Sequence, residues 1–271
     1  VTEQEWHAVL GFLTEVGRAD EFILLSDVTR TSVLIDALTH GGDDSGATAS
    51  DVEGPMYTVE PPFRTKIYEE YEGMGDDDPL FVRGTVTSTT GGPLPEAVVD
   101  VWQTGPAGGY DVWDERQPDG NFRGRIRAEE DGSYEFQTML PKPYTVPTIG
   151  PVGRYLEAVG QHPWRPAHIH FKVTAPGHAT LVTQVFFPGD PYLDNDTIGA
   201  VKSALVRPVE RRDDHLLPGE LVHAGLESSS GLLVELQYLR SHDALLSELM
   251  TASTSRAERI RYSSISTLTS V

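Results

Sequence analysis

The 271-residue sequence contains no cysteine. This excludes disulfides, cysteine nucleophiles, iron–sulfur clusters and thiolate zinc sites, so histidine, carboxylate or tyrosine side chains must hold any bound metal. Long apolar runs are also absent. None approaches the ~18 residues of a membrane span, and no signal peptide is recognisable. We therefore expect a cytoplasmic protein.

Basic residues are scarce. Lysine and arginine number 21 against 41 aspartates and glutamates, which gives a formal net charge of −20. This charge argues against a nucleic-acid binder, whose affinity comes from cationic contacts with phosphate, and it disfavours adhesion to an anionic membrane surface. Hydrophobic residues make up 38% of the chain, which is enough to bury a core.

The pattern of apolar residues changes along the chain. Residues 1–40 have the spacing of amphipathic helices, and glycines from position 41 end that pattern. From about 79 to 240 the chain has short alternating segments between Gly/Pro turns, which predicts a mainly β protein with a β-sandwich. We divide the chain into an N-terminal helical linker region (1–45), a β-sandwich catalytic domain (46–240) and a C-terminal tail (241–271).

Local signals predict individual elements. Asp131-Gly132 is typical of a hairpin turn and is expected to join strands at 124–127 and 133–136. Further strands are expected at 168–174, 181–187 and 232–239. A helix is predicted over 197–205, with Asp194, Asn195 or Asp196 as its N-cap.

Two histidines and two tyrosines are candidate metal ligands. His168 and His170 lie two apart in a predicted strand, so they share a face and can offer two imidazoles to one ion. Tyr110 and Tyr144 lie in turn-rich segments, and phenolate is a hard anionic donor that suits Fe(III). Each alone also fits a structural role: a pair of polar residues on a solvated face, or a packed aromatic with a bonded hydroxyl.

Together with several short motifs, these residues resemble the intradiol ring-cleaving dioxygenases, the family of catechol and hydroxyquinol 1,2-dioxygenases. The resemblance runs from about residue 53 to about 192, and the N-terminal helices fit it too. The matching motifs are Gly54-Pro55-Met56-Tyr57, Gly92-Pro93-Leu94-Pro95, Val99-Asp100-Val101-Trp102-Gln103, Gly109-Tyr110 and Arg165-Pro166-Ala167-His168-Ile169-His170-Phe171.

The resemblance implies a non-haem Fe(III) centre held by Tyr110, Tyr144, His168, His170 and a solvent hydroxide. It also implies that an aromatic diol or triol binds the iron through two oxygens, that Tyr144 is displaced and accepts a proton, and that O₂ opens the ring between the hydroxylated carbons. Arg165 matches the arginine that stabilises negative charge on the ring. Gln184 matches a glutamine beside the ligands.

The substrate is expected to be hydroxyquinol (1,2,4-trihydroxybenzene), giving 3-hydroxy-cis,cis-muconate or maleylacetate. Asp27 falls where the hydroxyquinol branch has an acidic pocket residue that can accept the third hydroxyl. The pocket is expected to be lined by Leu24, Asp27, Val52, Pro55, Met56 and Arg165. Ile149 departs from the branch, which has Asp there. Catechol or chlorocatechol, giving cis,cis-muconates, is the alternative, and flexible Met56 leaves room for substituents.

The resemblance further implies a homodimer formed through the N-terminal helices, with a phospholipid at the interface. Trp6, Leu10 and Leu13 provide an apolar face for it, although the same face would also serve to pack on the chain's own sheet. Two other functions are less consistent with the pattern. A zinc or manganese hydrolase using His168 and His170 lacks a carboxylate at typical spacing. A non-catalytic binding module leaves the four-residue set unexplained.

Overall fold

Three helices open the chain. In the computed structural model, which describes residues 1–41, 46–75, 79–209 and the backbone of 237–239, they are α1 Glu3–Arg18, α2 Phe22–Val28 and α3 Thr31–His40. A capping box starts α1, because the Thr2 hydroxyl accepts from the Glu5 amide and the Glu5 carboxylate accepts from the Thr2 amide. The expected helical N-terminus is confirmed. None of the helices in the described part of the chain has the length and hydropathy of a membrane span.

In the residues that the structure describes, nine strands follow, and they form three antiparallel sheets. Strands β3, β2, β7 and β8 form one sheet in that order, β4, β1 and β9 form the second, and β5 pairs with β6. Their bounds are β1 Pro79–Thr85, β2 Val98–Gln103, β3 Arg123–Arg127, β4 Ser133–Met139, β5 Tyr144–Thr145, β6 Trp164–Arg165, β7 His168–Thr174, β8 Leu181–Phe186 and β9 Gln237–Leu239. One more helix, α4 Pro151–Val159, and a 3₁₀ turn, Ser203–Leu205, lie among them.

The two larger sheets pack face to face. Alternate residues of each strand point inward, among them Val99 and Val101 of β2, Phe136 of β4 and Phe171 of β7, all fully buried. The expected β-sandwich is confirmed, and this core supports the strands that carry the candidate site.

A second core joins the helices to the sandwich. Val16 of α1, Val28 of α2 and Val152 of α4 are buried in it together with Phe186 of β8. The Glu21 carboxylate accepts from the Val152 amide, so a residue between α1 and α2 caps the start of α4. This packing holds α2 against α4 and against the side of the sandwich that contains β8.

Two local predictions were wrong. The turn at Asp131-Gly132 exists, with Gly132 at φ 78°, but β3 pairs with β2 and β4 pairs with β1, so the turn passes the chain between sheets instead of closing a hairpin. Of the helix predicted over 197–205, only Ser203–Leu205 is helical, as a 3₁₀ turn. The Asp196 carboxylate accepts from the amides of Ile198 and Ala200 without starting a helix.

Helix α4 was not predicted. Three further predictions lie partly or wholly outside the described residues or were not tested by them. Of the strand expected at 232–239, residues 237–239 pair with β1 and the rest lie outside the description, as does the tail at 241–271. The domain boundaries at 45/46 and 240/241 remain predictions.

Candidate active site

The structure brings the four candidate ligands together in one buried cluster. His168 and His170 project from the same face of β7, and their Nε2 atoms lie 3.1 Å apart. The ring of Tyr144 lies 5.6 Å from that of His168, and the ring of Tyr110 lies 5.5 Å from that of Tyr144, between centroids. All four side chains are buried.

Each imidazole is held by a specific neighbour. Nδ1 of His168 lies 2.7 Å from the carbonyl oxygen of Pro166, so Nδ1 carries the proton and Nε2 presents its lone pair to the cluster. The ring of His170 stacks on that of Trp102 of β2, with 4.7 Å between the ring centroids and 5° between the ring planes. Nδ1 of His170 has no hydrogen-bond partner among the described residues.

The two tyrosines come from the loops that flank the sandwich. Tyr110 follows β2, and its ring stands edge-on to both Tyr144 and Trp113. Its buried hydroxyl makes no hydrogen bond of ordinary geometry within the described part of the chain. Tyr144 begins β5 and pairs directly with Arg165 of β6, so this short ladder sets the tyrosine beside the arginine.

Burial determines the protonation of the cluster. It lowers the pKa of His168 and of His170 well below the ordinary 6.5, with the Arg165 charge adding to the effect, so both imidazoles are neutral. Burial also raises the pKa of Tyr110 and of Tyr144, so both phenols keep their protons unless a cation is present.

This donor set fits a trivalent metal ion. Two neutral imidazole nitrogens and two phenol oxygens converge, and the buried Tyr110 hydroxyl makes no hydrogen bond of ordinary geometry with any residue that the structure describes. The 3.1 Å between the two Nε2 atoms is close to the separation of about 3 Å expected for two ligands at right angles with metal–nitrogen bonds of ~2.1 Å. Phenolate donors favour ferric iron over the softer divalent ions.

Arg165 adds a buried positive charge next to the cluster. Its Nε and Nη2 atoms lie 3.2 and 3.3 Å from the two carboxylate oxygens of Asp196, and Nη1 lies 3.0 Å from Nε2 of His168. Nη2 also donates to the Gln184 side chain, which in turn donates to the carbonyl of Val52. Although burial opposes the charge, Asp196 raises the pKa of Arg165 above its usual value.

A cleft that is partly open to solvent adjoins the cluster. Of the predicted pocket residues, Leu24, Asp27, Pro55, Met56 and Arg165 line it, together with Tyr110, Tyr144 and His170. Val52 does not line this cleft. Its side chain is buried in the core under the helices, and its carbonyl receives the Gln184 hydrogen bond instead.

Asp27 places a carboxyl group in the wall of the cleft. It lies in α2 and is almost fully buried. Burial raises its pKa, while a hydrogen bond from Ser32 and the charge of Arg165 act in the opposite direction. Ile149, the residue that departs from the hydroxyquinol pattern, is 96% exposed and lies away from the cleft lining.

Sequence reasoning missed several residues of the site. Asp196 was predicted only as one of three possible helix caps, but its carboxylate is the counter-charge of Arg165. The cleft lining that was not predicted consists of Gly54, Trp113, Val146, Pro147 and Ile198. Trp113, Val146 and Pro147 closely follow a ligand tyrosine, and this proximity was a usable signal. Nothing local marks Ile198.

The chain is similar to known proteins over most of its length. Residues 52–227 match the family described as dioxygenase, and residues 1–46 match the catechol dioxygenase N terminus. Hydroxyquinol 1,2-dioxygenase of Rhizobium sp. (strain MTP-10005) is 42% identical over 222 residues, which are 79% of this chain and 74% of that protein. Chlorocatechol 1,2-dioxygenase of Cupriavidus pinatubonensis is 37% identical over 208 residues, which are 77% of this chain and 80% of that protein. The crystal structure of hydroxyquinol 1,2-dioxygenase from Pseudomonas putida DLL-E4 superposes with a TM-score of 0.70 at 39% identity, covering 88% of this chain and 82% of that one.

Proposed function

The chain belongs to the intradiol ring-cleaving dioxygenases, oxidoreductases that incorporate both atoms of O₂, and we propose that its substrate is hydroxyquinol. The ring would open between the two adjacent hydroxylated carbons to give 3-hydroxy-cis,cis-muconate or its tautomer maleylacetate. The observation that carries the proposal is the buried convergence of two tyrosines and two histidines beside a cleft that contains a carboxyl group.

We propose that Tyr110, Tyr144, His168 and His170 hold a non-haem ferric ion, as members of this generally iron-dependent family do. The neutral imidazoles and hard phenol oxygens fit this ion. Bound Fe(III) supplies Lewis acidity toward the two oxygens of the substrate and the redox chemistry of ring attack by O₂.

The chain's own residues bind, orient and deprotonate the substrate in this proposal. Tyr144 lines the cleft, and its phenolate oxygen accepts the proton of one substrate hydroxyl. The Arg165 guanidinium, held by Asp196, faces the same space and stabilises the negative charge that then develops on the ring. Leu24, Pro55 and Met56 exclude water from the ring face.

Asp27 is the proposed specificity residue for the third hydroxyl. A buried carboxyl group at the cleft wall can accept this O–H, whereas catechol would leave it without a partner. Hydroxyquinol dioxygenases are among the relatives at 41–42% identity, and chlorocatechol dioxygenases stand at 37–38%. The second candidate, catechol or a chlorocatechol, is favoured only by the flexible Met56 in the wall.

Oxygen uptake by the iron-loaded protein tests the substrate. Hydroxyquinol and catechol are compared at equal concentration, with an enzyme-free control because hydroxyquinol autoxidises. We expect hydroxyquinol to have the higher kcat/KM, and Asp27→Asn to reduce that preference at least tenfold while catechol turnover stays. Asp36→Asn, a change in the neighbouring helix away from the cleft, is the control. A wild-type preference for catechol would overturn the substrate assignment and retain the reaction.

We also propose that two copies associate through the N-terminal helices, with a phospholipid between them. Large apolar side chains on these helices are more than a third exposed: Trp6, Val9, Leu10, Leu13, Phe22, Ile23, Leu34, Ile35 and Leu38. Large exposed apolar areas of this kind commonly mark a surface that binds a protein partner or a lipid. Sedimentation should give a dimer that Leu10→Asp together with Leu34→Asp dissociates, and solvent extraction of the dimer should release phospholipid. A monomeric wild type would contradict the proposal.

A further inference from the structure

We propose that Arg123 is a positioning residue that fixes both Tyr110 and the Met56 wall of the cleft. This inference rests on the proposed function, because it assigns Tyr110 as a ligand and Met56 as pocket lining. Arg123 is 2% exposed, and it is not among the residues that line the cleft, so it acts through its neighbours.

The guanidinium of Arg123 joins two segments that are far apart in the sequence. Its Nε donates to Oδ1 of Asp111 at 2.8 Å, and Nη2 lies 2.7 Å from the same oxygen. Its Nη1 donates to the carbonyl oxygen of Met56. Asp111 directly follows Tyr110, so one side chain ties the tyrosine loop to the wall of the cleft.

The same charge also lies against the ring of Tyr110. The Arg123 guanidinium carbon is 5.7 Å from the centroid of that ring, within cation–π range. In β2, the residue that pairs with Arg123 is Trp102, whose ring stacks on His170. Arg123 therefore lies directly against the Tyr110 ring, and its cross-strand partner Trp102 connects it to His170, while Arg123 itself is not among the residues that line the cleft.

A buried ion pair contributes little net stability, so stability alone does not explain why Arg123 and Asp111 are paired here. Desolvation of both charges offsets most of their attraction, and an apolar pair of similar volume often serves as well. What an apolar pair cannot supply is a forked donor that holds a carboxylate and a carbonyl at once. The second oxygen of Asp111 accepts from the Gly120 amide at 3.0 Å, which closes the loop from 111 to 120 onto the same anchor.

The strand offers a matched control. Arg125 is two residues along β3, points to the same face and donates through Nε to the carbonyl of Pro61 at 2.7 Å. It anchors the same 56–63 segment but touches neither the Tyr110 loop nor the cleft lining. Arg123→Lys and Arg125→Lys each keep the charge and lose the fork. Because Arg123→Lys can also weaken folding, the double replacement Asp111→Asn with Arg123→Gln removes both charges together.

Three readouts test the inference. In metal-free crystals, we expect the Tyr110 hydroxyl to shift relative to His168 and His170 in Arg123→Lys and in the double variant, and to stay in Arg125→Lys. In ferric-loaded protein, we expect the visible tyrosinate charge-transfer band to move and kcat/KM to fall about 10–100-fold in the Arg123 variants only. An unmoved Tyr110 with an unchanged band would overturn the positioning role, even if the melting temperature falls.

The crystal readout separates this inference from the proposed function. If wild-type protein binds no ferric ion, the proposed function fails, and the position of Tyr110 in the metal-free variants still decides the role of Arg123. If wild-type protein is coloured and active while Arg123→Lys matches Arg125→Lys in all three readouts, the inference fails and the proposed function stands.

Discussion

The Tyr110 hydroxyl is a buried polar atom that makes no hydrogen bond of ordinary geometry with the described residues, and the proposed ligand role would account for it. A second tyrosine, Tyr134 in the sandwich core, is also buried, and its hydroxyl likewise has no hydrogen-bond partner in the described part of the chain. Removing either hydroxyl should therefore cost little folding stability. The two positions differ in what surrounds the oxygen, since only Tyr110 faces the imidazoles and Tyr144.

Tyr110→Phe should lower the iron content of the protein at least tenfold and bleach its visible colour to the same extent, leaving only the weak band of iron still bound to Tyr144. The reason is that tyrosinate bound to Fe(III) absorbs by charge transfer and supplies one of two anionic protein donors. Tyr134→Phe is the matched control and should keep both properties. Absorption spectra and iron assays of the two variants decide the question, and unchanged colour in Tyr110→Phe would remove Tyr110 from the ligand set.

Asp196→Asn should reduce kcat/KM about 10–100-fold, because Arg165 loses the carboxylate that holds both its Nε and Nη2. An unpaired buried guanidinium also costs up to about 3–5 kcal/mol of unfolding free energy. Steady-state kinetics at several pH values and urea unfolding measure the two effects.

Asp36→Asn gives the comparison for that variant. Asp36 lies in α3, away from Arg165, and its Oδ2 is 2.6 Å from Nζ of Lys202. Loss of this ion pair should lower the unfolding free energy without changing kcat/KM. Equal kinetic effects in the two variants would mean that Asp196 contributes only to folding.

Sequence reasoning could not assign Asp196, because a carboxylate before a polar turn looks the same whether it caps a helix or meets an arginine 31 residues earlier in the chain.

At the scale of elements, the contact between Glu21 and α4 connects the helical region to the β-sandwich. Glu21→Ala should lower the unfolding free energy by about 1 kcal/mol, since the Val152 amide at the start of α4 loses its acceptor. Arg154, also on α4, forms a salt bridge with Glu15 of α1, and both side chains are exposed. Glu15→Ala removes this salt bridge and should lower the unfolding free energy by no more than about 0.5 kcal/mol. Urea denaturation measures both, and equal losses would mean that the cap contributes nothing.

Periodicity predicted most elements, and the failures have physical causes. In β2 and β7 apolar residues recur at every second position, so the faces of Val99, Val101, His168 and His170 followed from the sequence. The turn at Asp131-Gly132 was recognised, but turn chemistry does not say which sheet the next strand joins. The helix α4 had a signal that was overlooked, with Pro151 at its first turn and Gly160 in the left-handed region after its end.

The candidate site was predictable where local spacing determines it. Two histidines at i and i+2 and the resemblance of the surrounding motifs placed all four ligands in one cluster. The remainder of the cleft, including Trp113 and Ile198, depends on how loops from different sheets meet. Those contacts span long stretches of sequence, and no short pattern encodes them.

For the whole molecule, ferric binding should couple to stability. All four proposed ligands lie between residues 110 and 170, on segments that the folded sandwich brings together, so the unfolded chain has no site of comparable affinity. Free ferric ion at 100 times its dissociation constant then stabilises the fold by about 2.7 kcal/mol. At about 2–4 °C per kcal/mol for a domain of this size, that predicts a rise of roughly 5–10 °C in melting temperature.

Calorimetry of chelator-treated protein, before and after ferric re-addition from a soluble chelate, measures this rise. The double variant His168→Ala with His170→Ala is the control and should show no shift, because it lacks both nitrogen donors. If the wild type and the double variant gain the same few degrees, the ion binds elsewhere on the strongly acidic surface. If the wild type gains none while its colour returns, the site also forms in the unfolded chain, which would contradict a centre assembled by the fold.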